Sequence, residues 1–192
     1  MNKQRVSALV LLDLSAAFDT IDHNILLNRL NSYFGISNSA FSLLSSYLSN
    51  RSQSVVVEYE FSSKLSLLRG VPQGSVLGPL LFTLHTTPLS HLLADTSIQF
   101  HFYDNDTLLY ISFSSSDSCQ SLTKLSTTLD LIHSWFCANR LAVNPSKPSI
   151  SLLVLTNSVP RLPALLFSSK IYLPLRLILC VTLELFLTQI WT

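Results

Sequence analysis

Two acidic positions have the residue types and spacing for chemistry. Asp13 closes a short apolar run from Val6 to Leu12, and Asp104, Asn105 and Asp106 interrupt two alternating stretches, one holding Ile98, Phe100 and Phe102, the other Leu108, Tyr110 and Ser112. A continuous apolar run of this length predicts a buried strand, which makes its end an expensive place for a charge. Alternation on both sides of an acidic triplet predicts a hairpin with that triplet at its tip. Carboxylates gathered from a strand end and a hairpin tip repel and raise one another's pKa unless a divalent cation lies between them, and oxygen-only ligation favours Mg²⁺ with substrate phosphates completing the shell. Two ions about 3.5 to 4 Å apart can activate an attacking hydroxyl and stabilise the leaving oxygen of a phosphoryl transfer. Taken singly, each feature also has a plain explanation, because Asp and Asn are common turn formers and an Asp after an apolar run can cap a helix or end a strand.

A third feature is the run Gly70-Val71-Pro72-Gln73-Gly74-Ser75-Val76-Leu77-Gly78-Pro79, which holds three of the four glycines. Glycine lets backbone approach a flat ligand, proline stiffens the loop, and Gln73 offers a donor and an acceptor to a base edge or sugar. The loop lacks the lysine and spacing of a Walker phosphate cradle, so that reading fails.

The elements that must position these residues follow from periodicity. Asp22 is placed to cap a helix with Leu26, Leu27, Leu30 and Phe34 at helical spacing, and Gly35 stands where a left-handed C-cap belongs. A second amphipathic helix is expected from about Ser39 to Leu48, carrying Phe41, Leu44 and Leu48 on one face. Ser54 to Tyr59 and Leu65 to Leu68 predict strands of a hairpin. Val76 to Leu93 predicts a helix that admits Pro79 in its first turn and is kinked or divided at Pro88. Leu122, Leu125, Leu129, Ile132 and Phe136 mark a further helix.

The chain of 192 residues is long enough to bury one core, and no internal repeat or linker divides it. Charged residues make up 12%, about half the usual share of roughly 25%. With a formal net charge of +1 and scattered basic residues, charge alone provides no electrostatic footprint for nucleic acid. Cys119, Cys137 and Cys180 form neither a metal pair nor an even disulfide set, so they are expected as small core residues of a reduced, intracellular chain, nuclear or cytoplasmic. Asp13 cuts the first apolar run short of a secretory signal. The mean hydropathy of +0.41 draws attention to Ile171 to Trp191, but Arg176 and Glu184 interrupt it and no transmembrane span is expected.

Taken in order, four segments resemble the palm motifs of reverse transcriptases from LINE-type, non-LTR retrotransposons. Leu11-Leu12-Asp13-Leu14-Ser15-Ala16-Ala17-Phe18-Asp19-Thr20-Ile21-Asp22-His23 resembles the first, and Gly70 to Phe82 the second. His101-Phe102-Tyr103-Asp104-Asn105-Asp106-Thr107-Leu108-Leu109-Tyr110 resembles the third, where the family reads Tyr-Ala-Asp-Asp-Thr-Gln-Leu-Tyr, and Trp135 to Lys147 is similar to the fourth. The resemblance implies an α+β palm, an antiparallel sheet with helices packed on one face, acting as an RNA-directed DNA polymerase on an RNA template, a DNA primer and deoxynucleoside triphosphates. It implies Mg²⁺ in a two-metal site held by Asp13, Asp106 and position 105. Phe18 would be the aromatic gate beneath the incoming sugar. Gly70, Pro72, Gln73 and Gly74 would form the loop near nucleotide and template, and Lys147 would protonate the pyrophosphate leaving group.

Departures from the pattern are as informative. Asn105 stands where the family has the first of two adjacent aspartates, and Asp104 where it has alanine. Asparagine keeps one carbonyl oxygen and loses the charge and second oxygen, weakening a Mg²⁺ ligand. Pro148 and Ser149 replace the family's Thr-Glu. The expectation is a palm over residues 1–150, with incomplete fingers and thumb, followed by a degenerate, poorly ordered tail over 151–192. A competing reading is a catalytically inactive relic with at most weak nucleic-acid binding; a membrane-associated hydrophobic protein is a further one.

Overall fold

The structure, a computed structural model, describes residues 5–103, 105–144 and 149–155. In chain order its elements are β1 (Arg5–Asp13), α1 (Ala17–Thr20), α2 (His23–Ser32), α3 (Asn38–Leu48), β2 (Ser52–Gln53), β3 (Val56–Val57), β4 (Glu60–Phe61), β5 (Leu65–Ser66), α4 (Leu77–Ala94), β6 (Gln99–Tyr103), β7 (Asp106–Ser114), α5 (Ser118–Ala138) and β8 (Ser149–Leu155). They divide into two compact units: the described residues within 1–15, 89–136 and 142–192 form the first, those within 16–88 and 137–141 the second.

The first unit is built on an antiparallel sheet in the order β6-β7-β1-β8. Because β1 is central, its valine- and leucine-rich run is hydrogen-bonded on both sides, as a continuous apolar strand requires. Ala8, Val10 and Leu12 are buried on one face, opposite Ile111, Leu109 and Thr107 of β7. The alternation in β7 is present, but the face buried is that of Thr107, Leu109 and Phe113 rather than Leu108, Tyr110 and Ser112. Register decides this: Leu108 and Tyr110 pair with Leu11 and Leu9 on the less covered face, which also carries Asp13 and Asp106. The stripe Leu122, Leu125, Leu129, Ile132 and Phe136 of α5 is buried at the expected spacing. Cys119 and Cys137 are exposed, not core residues as expected, because both fall outside that stripe; Cys180 lies outside the described residues.

The expected boundary at residue 150 falls inside β8, which pairs with β1 from Leu11 opposite Ser149 to Arg5 opposite Leu155. The sheet therefore continues past the fourth motif. Residues 156–192 lie outside the described residues.

The second unit contains α2 and α3. Asp22 Oδ1 accepts from the backbone N–H groups of Asn24 and Ile25 at 3.0 and 3.2 Å, which caps α2 as expected. Gly35 adopts φ +68, and the N–H of Ile36 returns to the carbonyl of Leu30, closing the C-terminus. The expected pairing of Ser54 to Tyr59 with Leu65 to Leu68 is not formed, because the chain already reverses at Glu58 and Tyr59 and Leu65 and Ser66 pair with Gln53 and Ser52. The segment divides into two nested ladders, β2 with β5 and β3 with β4, joined at a tight turn where Glu58 and Tyr59 both have positive φ, the backbone of a primed turn. Pro88 sits inside α4 without ending it. Among the described residues no helix is long and apolar enough to cross a membrane.

Candidate active site

Asp13 ends β1 directly opposite Asp106, the first residue of β7, so the strand end and hairpin tip are neighbours. Paired residues of an antiparallel ladder hold their Cβ atoms about 4.5 to 5.5 Å apart on the same face. Beside them, Leu14 bridges to Val143, the Ser15 N–H donates to the Ala142 carbonyl, and the Asn144 N–H donates to the Asp13 carbonyl at 2.7 Å. This short antiparallel crossing carries the Asn144 side chain to Asp13.

Asp13, a residue only 8% exposed, meets amides on both carboxylate oxygens. Asn105 Nδ2 donates to Oδ1 at 2.9 Å, and Asn144 Nδ2 donates to Oδ2 at 2.8 Å. Asn105 Nδ2 also lies 3.5 Å from the Leu14 carbonyl. The assignment of amide nitrogen and oxygen follows from chemistry, since an ionised carboxylate and a carbonyl only accept, and an asparagine facing them must present its NH₂ group.

In the second unit, Phe18 lies on α1 and its ring packs on Phe82, with centroids 5.2 Å apart. The Val71 N–H donates to the Phe18 carbonyl and the Gly70 N–H to the Ile21 carbonyl, which joins the glycine loop to the first motif. Gly70 has φ +87, and a Cβ there would lie 3.0 Å from the Asp19 carbonyl oxygen. The close approach expected of this loop is thus made to the backbone of α1. Gly74 has φ +75 with nothing within 4 Å of such a Cβ. Gly70→Ala is expected to cost about 2 kcal/mol or more, from left-handed strain plus contact, and Gly74→Ala only the strain of about 1 to 2 kcal/mol. Equal shifts of the urea midpoint in the two variants would remove the role given to the Asp19 contact. Pro72 accepts from Ser75 Oγ, and the exposed Gln73 donates through Nε2 to both Asp19 carboxylate oxygens at 3.1 Å.

Comparison with known proteins bears on all four motifs. The sequence model of the family described as reverse transcriptase (RNA-dependent DNA polymerase) matches residues 1–170. The chain belongs to the reverse transcriptase family. It is 33% identical over 144 residues, 72% of its length, to a probable RNA-directed DNA polymerase from transposon BS of Drosophila melanogaster. It is 26% identical over 178 residues to the RNA-directed DNA polymerase from mobile element jockey of Drosophila funebris. The chain spans only 15% and 19% of the lengths of these relatives. Among solved structures, apo telomerase from Candida tropicalis, truncated from its C-terminal domain, superposes with a TM-score of 0.57 over 80% of this chain and 32% of that one, at 15% identity, a likeness of fold. The chain is a reverse transcriptase domain of non-LTR type with the α+β architecture of a polymerase palm.

Reverse transcriptases are generally Mg²⁺-dependent, so the donor set of this domain can be tested against such an ion. Asp13 and Asp106 are juxtaposed across the ladder, but Asn105 directs amide hydrogens, not its carbonyl oxygen, at Asp13. A cation bridging those two residues would meet the positive end of that amide dipole. Among the described residues no group of three or more His, Cys, Asp or Glu side chains could hold a metal ion. Among the described residues, the donors around Asp13 do not fit a pair of cations. Asp104 and Lys147 lie outside the described residues.

Sequence reasoning placed Asn144 in the fourth motif without seeing that it holds Asp13; its position directly before a proline at the motif's end was the available signal. It missed a buried polar cluster in the second unit altogether. There Arg29 Nη1 donates to the His85 carbonyl and lies 3.4 Å from His85 Nδ1, while Nη2 donates to Asn139 Oδ1. Nothing in the periodicity of α2 or α4 distinguishes these polar residues from surface ones.

Proposed function

We propose that this chain is the palm of an RNA-directed DNA polymerase in which the frame for template, primer and nucleotide persists while the transfer step is disabled at position 105. The observation that carries the reading is the Asn105 amide turned onto Asp13. In this reading Phe18 lies beneath the incoming sugar, and Gly70, Pro72, Gln73 and Gly74 form the loop toward nucleotide and template. Lys147 is the counterpart of the lysine that would protonate the pyrophosphate leaving group in an active relative. Asp13 and Asp106 are what remains of the inherited carboxylate set. An RNA template with a DNA primer and deoxynucleoside triphosphates are the ligands the family implies, and the chain works inside the cell.

Binding should be weak. With a net charge of +1, phosphate neutralisation provides little affinity, so a primed RNA template is expected to bind no tighter than the roughly 10⁻⁴ to 10⁻⁶ M of non-specific complexes, and to weaken as salt rises. The deciding experiment is primer extension on that template with Mg²⁺ and all four deoxynucleoside triphosphates. No product above background is expected; template-dependent extension would refute the proposal.

A further inference from the structure

The site at the end of β1 is closed by hydrogen bonds at the places where a cation would be needed. Two carboxylates face each other across the ladder, an arrangement that ordinarily requires a divalent ion between them. Here one of the pair, Asp13, is nearly buried and each of its oxygens accepts from an asparagine NH₂, one delivered by the hairpin tip and one by the segment crossing Asp13 to Ser15. Hydrogen bonds to a charged group are among the stronger ones. The amide dipoles supply the positive potential that a cation would otherwise bring, without its charge.

We infer that Asn105, together with Asn144, takes the place of the cation, so that the carboxylate site of this palm is a cation-independent structural lock between the strand end, the hairpin tip and the fourth motif. The inference rests on the geometry around Asp13 and deepens the reading of a disabled palm, yet it can fail separately. The lock concerns ion binding and stability, the disabled step concerns extension.

The consequences are opposite for the native residue and for a restored aspartate. Asn105→Asp removes a donor and sets a third carboxylate beside Asp13 and Asp106. In EDTA it should lower the melting temperature by roughly 5 to 10 °C, and Mg²⁺ or Mn²⁺ in the millimolar range should recover most of that loss, because an ion that binds only the folded state stabilises it. The original chain should melt at the same temperature in EDTA and in either ion. Asn105→Ala, which loses the donor and gains no charge, should melt lower than the original and gain nothing from the ion.

The test is thermal melting of the original chain, Asn105→Asp, Asn105→Ala and Asp13→Asn, in EDTA and in Mn²⁺, with Mn²⁺ binding followed by electron paramagnetic resonance. An ion response confined to Asn105→Asp supports the lock. Saturable Mn²⁺ binding by the original chain that is lost in Asp13→Asn would overturn it, as would an Asn105→Asp variant as stable in EDTA as the original. Should Asn105→Asp not fold under any condition, the original chain's Mn²⁺ binding still decides. A chain that bound Mn²⁺ at Asp13 yet extended no primer would end the lock and leave the disabled palm standing.

Discussion

Between pH 6.5 and pH 4 the chain is expected to lose roughly 3 kcal/mol of stability through His85 alone. His85 is fully buried on α4 and its pKa is pushed down from 6.5 to about 4, first by burial, which disfavours the imidazolium, and then by the charge of Arg29. A backbone hydrogen bond with Asn139 and the charge of Asp22 oppose the shift only in part. Arg29 Nη1 lies 3.4 Å from Nδ1, and Nε2 is buried without a hydrogen-bond partner among the described residues. A folded pKa below the unfolded one means that the unfolded chain takes up the proton first. Stability is therefore fully present above pH 6.5, falls as pH drops toward 4, and changes no further through this group below that. Acid weakens other groups too, so the informative quantity is the difference between the original and His85→Gln, measured by urea unfolding at half-unit steps. That difference should change by about 3 kcal/mol across the window. A constant difference would show that His85 titrates normally.

The contrast between this cluster and the carboxylate site shows which parts of the molecule could be seen in the sequence. Val6 to Leu12, the 122–136 stripe and the Asp22 cap were legible because strand burial, helical period and capping are local properties, expressed within a few residues. The neighbourhood of Asp13 and Asp106 was legible from the motif resemblance and from the cost of burying charge, although their separation in sequence is large. Register was not. Whether β7 buries Thr107 and Leu109 or Leu108 and Tyr110 depends on pairing with β1, and both phases alternate equally well. The two nested ladders around Glu58 and Tyr59 depend on positive φ at residues that do not advertise it, where the expected hairpin needed only a polar turn. The direction in which Asn105 points was also beyond reach. Whether Asn105 reaches Asp13 at all depends on how the hairpin tip meets the strand end; once there, the Asp13 carboxylate and the Leu14 carbonyl, which only accept, require its amide hydrogens.

Asp13→Ala is expected to destabilise the chain by about 3 to 5 kcal/mol, the reverse of what removing a clustered carboxylate does in a metal site studied without its metal. In such a site the carboxylates repel, and neutralising one relieves strain, so function is held at a cost in stability. Around Asp13 the balance is different, because each oxygen accepts an amide hydrogen bond at under 3 Å and the residue is almost fully covered. Truncation to alanine removes two charge-assisted bonds and leaves the NH₂ groups of Asn105 and Asn144 to find other partners in a half-buried setting, each bond worth roughly 1.5 to 3 kcal/mol. Relief of the repulsion from Asp106 offsets part of this, since that pair sits directly across the ladder. Asp13→Asn tests the same balance more gently: it keeps the shape and one carbonyl acceptor, so it should cost about 1 to 2 kcal/mol and leave one amide contact intact. Denaturant unfolding of the two variants at pH 7 in EDTA measures both. A stabilised Asp13→Ala would mean that repulsion outweighs the amide bonds and that the strand end is an ordinary acidic cluster awaiting an ion. A loss graded from alanine to asparagine would mean that the carboxylate once needed for transfer now serves to hold the hairpin tip and the fourth motif against β1.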